Sequence, residues 1–188
     1  MIGHRPAEGD METGVEKSLR RLLDKSEIQD VLYRYARGVD RKDMELVRAA
    51  YHPDAYDDHG DYKGGIDGFV DYLSTRHVGV SQSMHFFGNC LVEFLDDDVA
   101  LVETYVSRRR ITPKGAATDL VHEVTDSEIL ARYIDRFERR NGEWRIARRV
   151  VAFEAVVTAA RSAPPYNPVW IWSRRDQQDA VFQMRDEK

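Results

Sequence analysis

The sequence predicts an α+β domain, with N-terminal helices packed on a curved antiparallel sheet. Three observations carry that prediction. Apolar residues recur at helical spacing in "SEIQDVLYRYARGVD" (26–40), four long β-rich runs follow residue 80, and tight-turn signals join those runs in pairs. A chain of 188 residues, 42% hydrophobic and 32% charged, has enough apolar material for one well-filled core plus arms.

In the first helix Ser26 is the candidate N-cap, and Ile28, Val31, Leu32, Tyr35 and Val39 form one stripe. Gly38 weakens its last turn. "KDMELVRAAYHPD" (42–54) reads as a second helix ended by the His52-Pro53 step, because the residue before proline avoids the helical region. "AYDDHGDYKG" reads as a short strand and turn, and "IDGFVDYLSTRH" as a third helix with Asp67 as its cap.

Beyond residue 80, "SQSMHFFGNCLVEFL", "DVALVETYVSRRRI", "SEILARYIDRFERR" and "EWRIARRVVAFEAVVTAA" are rich in β-branched and aromatic residues with partial alternation. Asp96-Asp97-Asp98 turns the first pair. Asn141-Gly142, a strong hairpin signal, turns the second. Residues 111–126 read as a long loop. The domain expectation is a flexible arm over 1–15, the α+β body over 16–160, and a C-terminal arm over 161–188. That last arm carries Pro164-Pro165, Trp170 and Trp172, whose rings need burial on the body or on a neighbouring subunit.

Charge and composition narrow the function. A net charge of −5 predicts no basic surface and no nucleic-acid partner, and Arg108-Arg109-Arg110 and Arg148-Arg149 read as solvated strand faces. No run approaches the roughly 18 apolar residues of a membrane span, and the first residues lack an apolar signal core, so a cytoplasmic protein is expected. Cys90, the sole cysteine, reads as a buried inert thiol. Gly64-Gly65 lacks the lysine and helix of a phosphate loop. The histidines never recur at helix-face metal spacing; a site of Asp58, His59 and His85 is imaginable, but no metal is expected.

What remains is acid–base chemistry. Asp40 closes the first helix five residues after Tyr35, and His85 opens a strand among Met84, Phe86 and Phe87. A histidine there is either a satisfied core residue or an imidazole whose basicity a carboxylate raises. Periodicity leaves both readings open.

"SEIQDVLYRYARGVDRKDMELVRAAYHPDAYDDHG", "MHFFGNCLVEF" and "YIDRFERRNGEWRIARR" together resemble the SnoaL-like branch of the nuclear transport factor 2-like superfamily, over about residues 20–160. The resemblance implies a cone-shaped barrel of helices around a strongly bent antiparallel sheet, enclosing one apolar pocket. It implies that Asp40 pairs with a catalytic His85, with Tyr35 and Arg149 as further catalytic groups. Tyr133 matches a pocket phenylalanine, Asp58 and His59 fall near a pocket-lining strand, and Phe87 and Phe153 complete the expected substrate-binding set. One dehydratase branch has an arginine where this chain has Phe153, which argues against that branch's bile-acid thioester substrates.

The function implied is a cofactor-independent lyase of the dehydratase type, or an isomerase, acting on a small apolar cyclic or aromatic molecule. The Asp–His base would eliminate water or another small group such as formaldehyde. The family resemblance also implies a homodimer or homotrimer. Two other classes share the fold: a non-catalytic small-molecule-binding protein, and the small structural subunit of a ring-hydroxylating oxygenase, which predicts a filled cavity.

Overall fold

Helix α1 spans Gly14–Arg41 in the computed structural model, which describes residues 14–114, 122–163 and 167–186. The helix therefore starts well before Ser26, which is an interior residue and not its cap. The reason is local: Glu16, Lys17, Leu19, Arg20, Arg21, Leu22 and Leu23 are strong helix formers and extend the period upstream. Helix α2 is short, Met44–Ala49, and its cap is Asp43, whose carboxylate accepts the Leu46 N–H at 3.0 Å.

The His52-Pro53 step does not end that helix. It lies inside strand β1, Tyr51–Asp58, where the extended preference of a pre-proline residue suits a strand. Strand β2 (Lys63–Gly65) returns from β1 and leads into helix α3, Ile66–Arg76. Gly65 is the N-cap of α3 with no side-chain bond; Asp67, the expected cap, pairs with Arg48 instead.

The long runs form β3 (Gln82–Phe94), β4 (Val99–Lys114), β5 (His122–Arg140) and β6 (Glu143–Ala163). They complete an open six-stranded sheet in the order β2-β1-β6-β5-β4-β3. The sheet is mixed, not purely antiparallel, because β1 runs parallel to β6 with Asp57 opposite Arg149. Register shifts at Phe87/Cys90, Leu130/Ala131 and Arg136/Phe137 add the bulges that bend long strands. Asn141 (φ 54°) and Gly142 (φ 84°) make the β5–β6 turn, as their sequence predicts.

The loop expected over 111–126 is largely ladder. Pairing continues from Ile111↔Asp126 to Lys114↔Glu123, held by a fork from Arg109 onto Asp126 at 2.9 and 2.6 Å. β-Branched Thr112, Val124 and Thr125 suit that extension. Its tip, 115–121, lies outside the described residues, as do Pro164-Pro165 and residues 1–13 of the arm expected over 1–15, whose last two residues, Gly14 and Val15, begin α1 instead.

Ile28, Val31, Leu32, Tyr35 and Val39 bury the stripe of α1 against the sheet beside Val102, Phe137 and Ile146. Buried Trp144 donates its indole N–H to Asp24 at 2.9 Å, which ties β6 to the same helix. The C-terminal segment returns along the body and ends in a short helix α4, Ala180–Asp186. Trp170 is 62% exposed and leans on Trp172, so the tryptophans do not bury themselves on this chain's body. Arg175, the Arg41–Asp179 ion pair at 3.2 Å and buried Phe182 attach the segment instead. No described helix is long and apolar enough to cross a membrane.

Candidate active site

Helices α1 and α3 and the inner face of the sheet enclose a cavity of about 430 Å³. Val39, Leu73, Val106, Ile129, Val151 and Phe153 supply apolar wall, and Tyr35, His59, His77, His85, Arg108 and Tyr133 supply polar groups. A few convergent polar groups in an apolar hollow is the usual form of a small-molecule site.

Asp40 sits in the last turn of α1 and reaches β3. Its Oδ1 accepts from His85 Nδ1 and from Ser83 Oγ, each at 2.8 Å, and its Oδ2 accepts the His85 backbone N–H at 2.8 Å. Ser83 and His85 are two apart on a strand and so share a face, which lets one carboxylate hold both. Burial alone would raise the Asp40 pKa. The His85 ring and these hydrogen bonds outweigh it and hold the carboxyl below its ordinary value.

The His85 side chain is 3% exposed. Burial lowers its pKa below the usual imidazole value; Asp40 pulls upward but does not overcome burial, and Arg108 and His59 push further down. The ring is therefore neutral at neutral pH. Donation from Nδ1 to Asp40 leaves the lone pair on Nε2, the form of a general base.

A row of rings continues from His85: Tyr35 at 6.4 Å between centroids, Tyr133 5.9 Å from Tyr35, and His59 6.0 Å from Tyr133. Burial pushes both tyrosine pKa values up, so the phenols stay protonated and serve as neutral donors. His59 is held through Nδ1 by buried Asp57 at 3.0 Å, and Asp57 also accepts from Tyr51 Oη at 2.7 Å. The cavity thus carries two carboxylate–imidazole pairs.

Arg149 is not at the cavity surface. It is 0% exposed, forked onto Asp135 at 2.7 and 2.6 Å and donating to Tyr51 Oη at 3.1 Å. Its guanidinium lies 4.4 and 4.0 Å from the ring centres of Tyr35 and Tyr133. It therefore touches the cavity only through those two rings. This corrects two expectations, the solvated strand face and the direct contact with substrate, for one reason: Arg149 lies opposite Asp135 across β5–β6 on the inner face.

Among the predicted residues, the fold brings Asp40, His85, Tyr35, Tyr133, His59 and Phe153 to the cavity or directly behind it. Phe87 flanks it, 6.2 Å from His85 and 5.9 Å from Tyr133. Asp58 points away and binds Lys63 at 2.9 Å and the Gly60 N–H at 3.3 Å, so the histidine's partner is Asp57. Cys90 is half-buried, beside Thr104 Oγ1 at 3.6 Å. No described group of three or more His, Cys, Asp or Glu side chains is arranged to hold a metal ion.

Sequence reasoning missed Asp57, Arg108 and Arg175. Arg108 was legible: Ala100, Val102, Thr104 and Val106 alternate onto the inner face, and the same period carries Arg108 and Arg110 there. It lies directly across the ladder from His85. Arg175 had no local signal. From the C-terminal segment it donates to the carbonyls of Val39 (2.8 Å) and Asp40 (2.9 Å) and contacts His77 Nδ1 at 3.0 Å, capping the helix end that carries Asp40.

The chain belongs to the SnoaL-like domain family, whose model matches residues 20–150. A search of curated proteins gives no match. Solved structures are similar. A type 2 hexachlorocyclohexane dehydrochlorinase is 22% identical, with a TM-score of 0.68 over 80% of this chain and 99% of that one. A scytalone dehydratase-like protein from Novosphingobium aromaticivorans is 18% identical, with a TM-score of 0.66 over 81% of this chain and 97% of its own. A type 3 dehydrochlorinase from Novosphingobium barchaimii is 21% identical, with a TM-score of 0.65 over 76% and 94%. At these identities the likeness shows the fold.

Proposed function

We propose that this SnoaL-like domain is a lyase of the dehydratase type, running an acid–base elimination on a small cyclic or aromatic molecule. The observation that carries this reading is the Asp40–His85 contact at the wall of an otherwise apolar cavity. His85 Nε2 takes a proton from a substrate carbon. The electron pair forms the new double bond as the bond to the leaving group breaks, and a leaving hydroxyl departs as water after receiving a proton from the cavity wall.

Asp40 is a positioning residue: it sets the imidazole tautomer and stabilises the imidazolium that forms. Tyr35 and Tyr133 are the donors to a substrate carbonyl or leaving oxygen, and His59, oriented by Asp57, lines the cavity beside Tyr133. Arg149 acts through the two phenols by fixing their rings. Phe153 and Val151 hold the apolar body of the substrate. The similar solved structures named for a dehydratase and a dehydrochlorinase support elimination as the reaction class.

The test is a panel of hydroxylated alicyclic and aromatic ketones and alcohols, with loss of a small molecule followed by mass spectrometry. On a substrate so identified, His85→Ala lowers turnover by about 10²–10⁴-fold. Full turnover in both His85→Ala and Asp40→Asn would remove the base from the proposal. Binding without any turnover across the panel would favour the carrier reading.

A further inference from the structure

The cavity also holds positive charge for which the elimination has no use. Arg108 lines it, and its Nη1 is buried without a hydrogen-bond partner among the described residues. Two residues along the same strand face, Arg110 has a buried Nε that is likewise unpartnered. Arg76, from α3, lines the cavity beside them and is held by Asp61 at 3.0 Å.

The neighbouring carboxylates are already engaged. Asp40 holds His85 and Ser83, Asp57 holds Tyr51 and His59, Asp61 holds Arg76, and Asp135 holds Arg149. A buried charged donor left unpaired is costly, so a fold that places two on one strand face is built around an anion that arrives with a ligand. Resting on the reading of His85 as the base, we propose that Arg108, backed by Arg110, is the anchoring subsite for a substrate carboxylate. The substrate class is then small cyclic or aromatic carboxylic acids.

The geometry suits that class. A planar guanidinium matches a carboxylate fork, and the apolar wall from Val106 to Phe153 accepts an uncharged ring. Arg108 and His85 face each other across adjacent strands, so their Cβ atoms stand about 4.5–5.5 Å apart. The proton removed is therefore on a carbon a few bonds from the acid group. Burial holds the Arg108 pKa below its ordinary value and Arg76 pushes it the same way; an adjacent anion acts in the opposite direction.

Calorimetric titration of the full chain with 3-phenylpropanoate and its neutral isostere 3-phenylpropanamide tests this. The wild type binds the acid about tenfold or more tightly than the amide, as one charge-assisted fork supplies. Arg108→Met abolishes the preference and leaves the unliganded melting temperature unchanged or higher, since an unpartnered buried charge is gone; a purely structural arginine would lower it. Equal affinities in the wild type, no binding of either probe at millimolar concentration, or a preference that survives Arg108→Met overturns the proposal. The wild-type comparison stands whether or not the variant folds. His85→Ala separates the two readings: it keeps the acid preference whether or not His85 is the base, whereas its turnover reports on the base alone.

Discussion

Two carboxylate-based pairs flank Tyr35, and they differ in what they leave unsatisfied. Asp135 and Arg149 are sealed, 0% exposed on both sides, with the guanidinium's fork and its third contact occupied and two phenol rings packed against it. Asp40 and His85 are nearly as buried, yet among the described residues Nε2 is left over beside a hollow. A pair in which every nitrogen and oxygen has a partner holds the fold together. A pair that withholds one lone pair can do chemistry. Burial by itself does not separate the two; the remaining valence does.

The sharpest way to break the comparison is to exchange consequences between the pairs. His85→Ala is expected to cost about 10²–10⁴-fold in turnover while the folded state persists, checked by steady-state rates beside thermal melts. Asp40→Asn lowers turnover too, and it displaces the acid limb of the pH profile, which a merely structural loss would not do. Arg149→Met shows the opposite balance. Removing one partner of a buried pair leaves Asp135 uncompensated and costs about 3–5 kcal/mol of stability, read by chemical denaturation. The fraction that remains folded keeps its pH profile.

Acidity divides the regions next. His77, buried beside Arg175, has its pKa pushed down to about 3 by burial and then by that guanidinium. In the unfolded chain it takes a proton near 6.5, so the unfolded state binds more protons as pH falls below that value. Its neutral form therefore stabilises the fold fully above about 6.5, and that contribution is lost progressively down to about pH 3. Asp40 behaves in the same sense lower down: its stabilisation is present above about 3.8 and lost as pH falls through its depressed folded value. His85, also depressed, gives kcat/KM an acid limb with its midpoint below 6.5 and a plateau above. Denaturation curves from pH 7 to 4 on wild type and His77→Gln measure the first effect; a limb centred above 6.5 would contradict the last.

The smallest expected effect comes from Arg175→Met, about 1–3 kcal/mol, because the Val39 and Asp40 carbonyls each lose a charged donor at a helix end. Its informative readout is the acid limb of the rate profile. If Arg175 positions Asp40, the midpoint moves; if it only caps the helix, stability falls and the midpoint stays.

Much of the fold was legible. The apolar stripe from Ile28 to Val39, the β-branched runs after residue 80 and Asn141-Gly142 named their elements correctly because those signals are local. Ser26 and Asp67 failed as caps for the same reason: a capping side chain is favourable only where the helix actually begins, and strong helix formers upstream moved one start while Gly65 supplied the other. The segment 111–126 looked irregular because its second half is held by β6, from His122↔Ala163 to Asp126↔Ala159, and Asp126 by Arg109 and Arg161, partners that no window of that segment contains.

By itself the sequence determined the middle of the first helix, the third helix and the body of the four long strands, and its resemblance to a family implied that an aspartate at the end of the first helix meets a histidine on the next long strand. Only the tertiary structure decided which charged side chain is sealed and which is left wanting a partner. Arg149 finds Asp135 and Tyr51, Asp57 finds His59, and Arg108 finds no carboxylate among the described residues, although all three look alike as charges on amphipathic strands. Burial and pairing are set by residues far apart along the chain, and a charge has no meaning for function until its neighbours are in place.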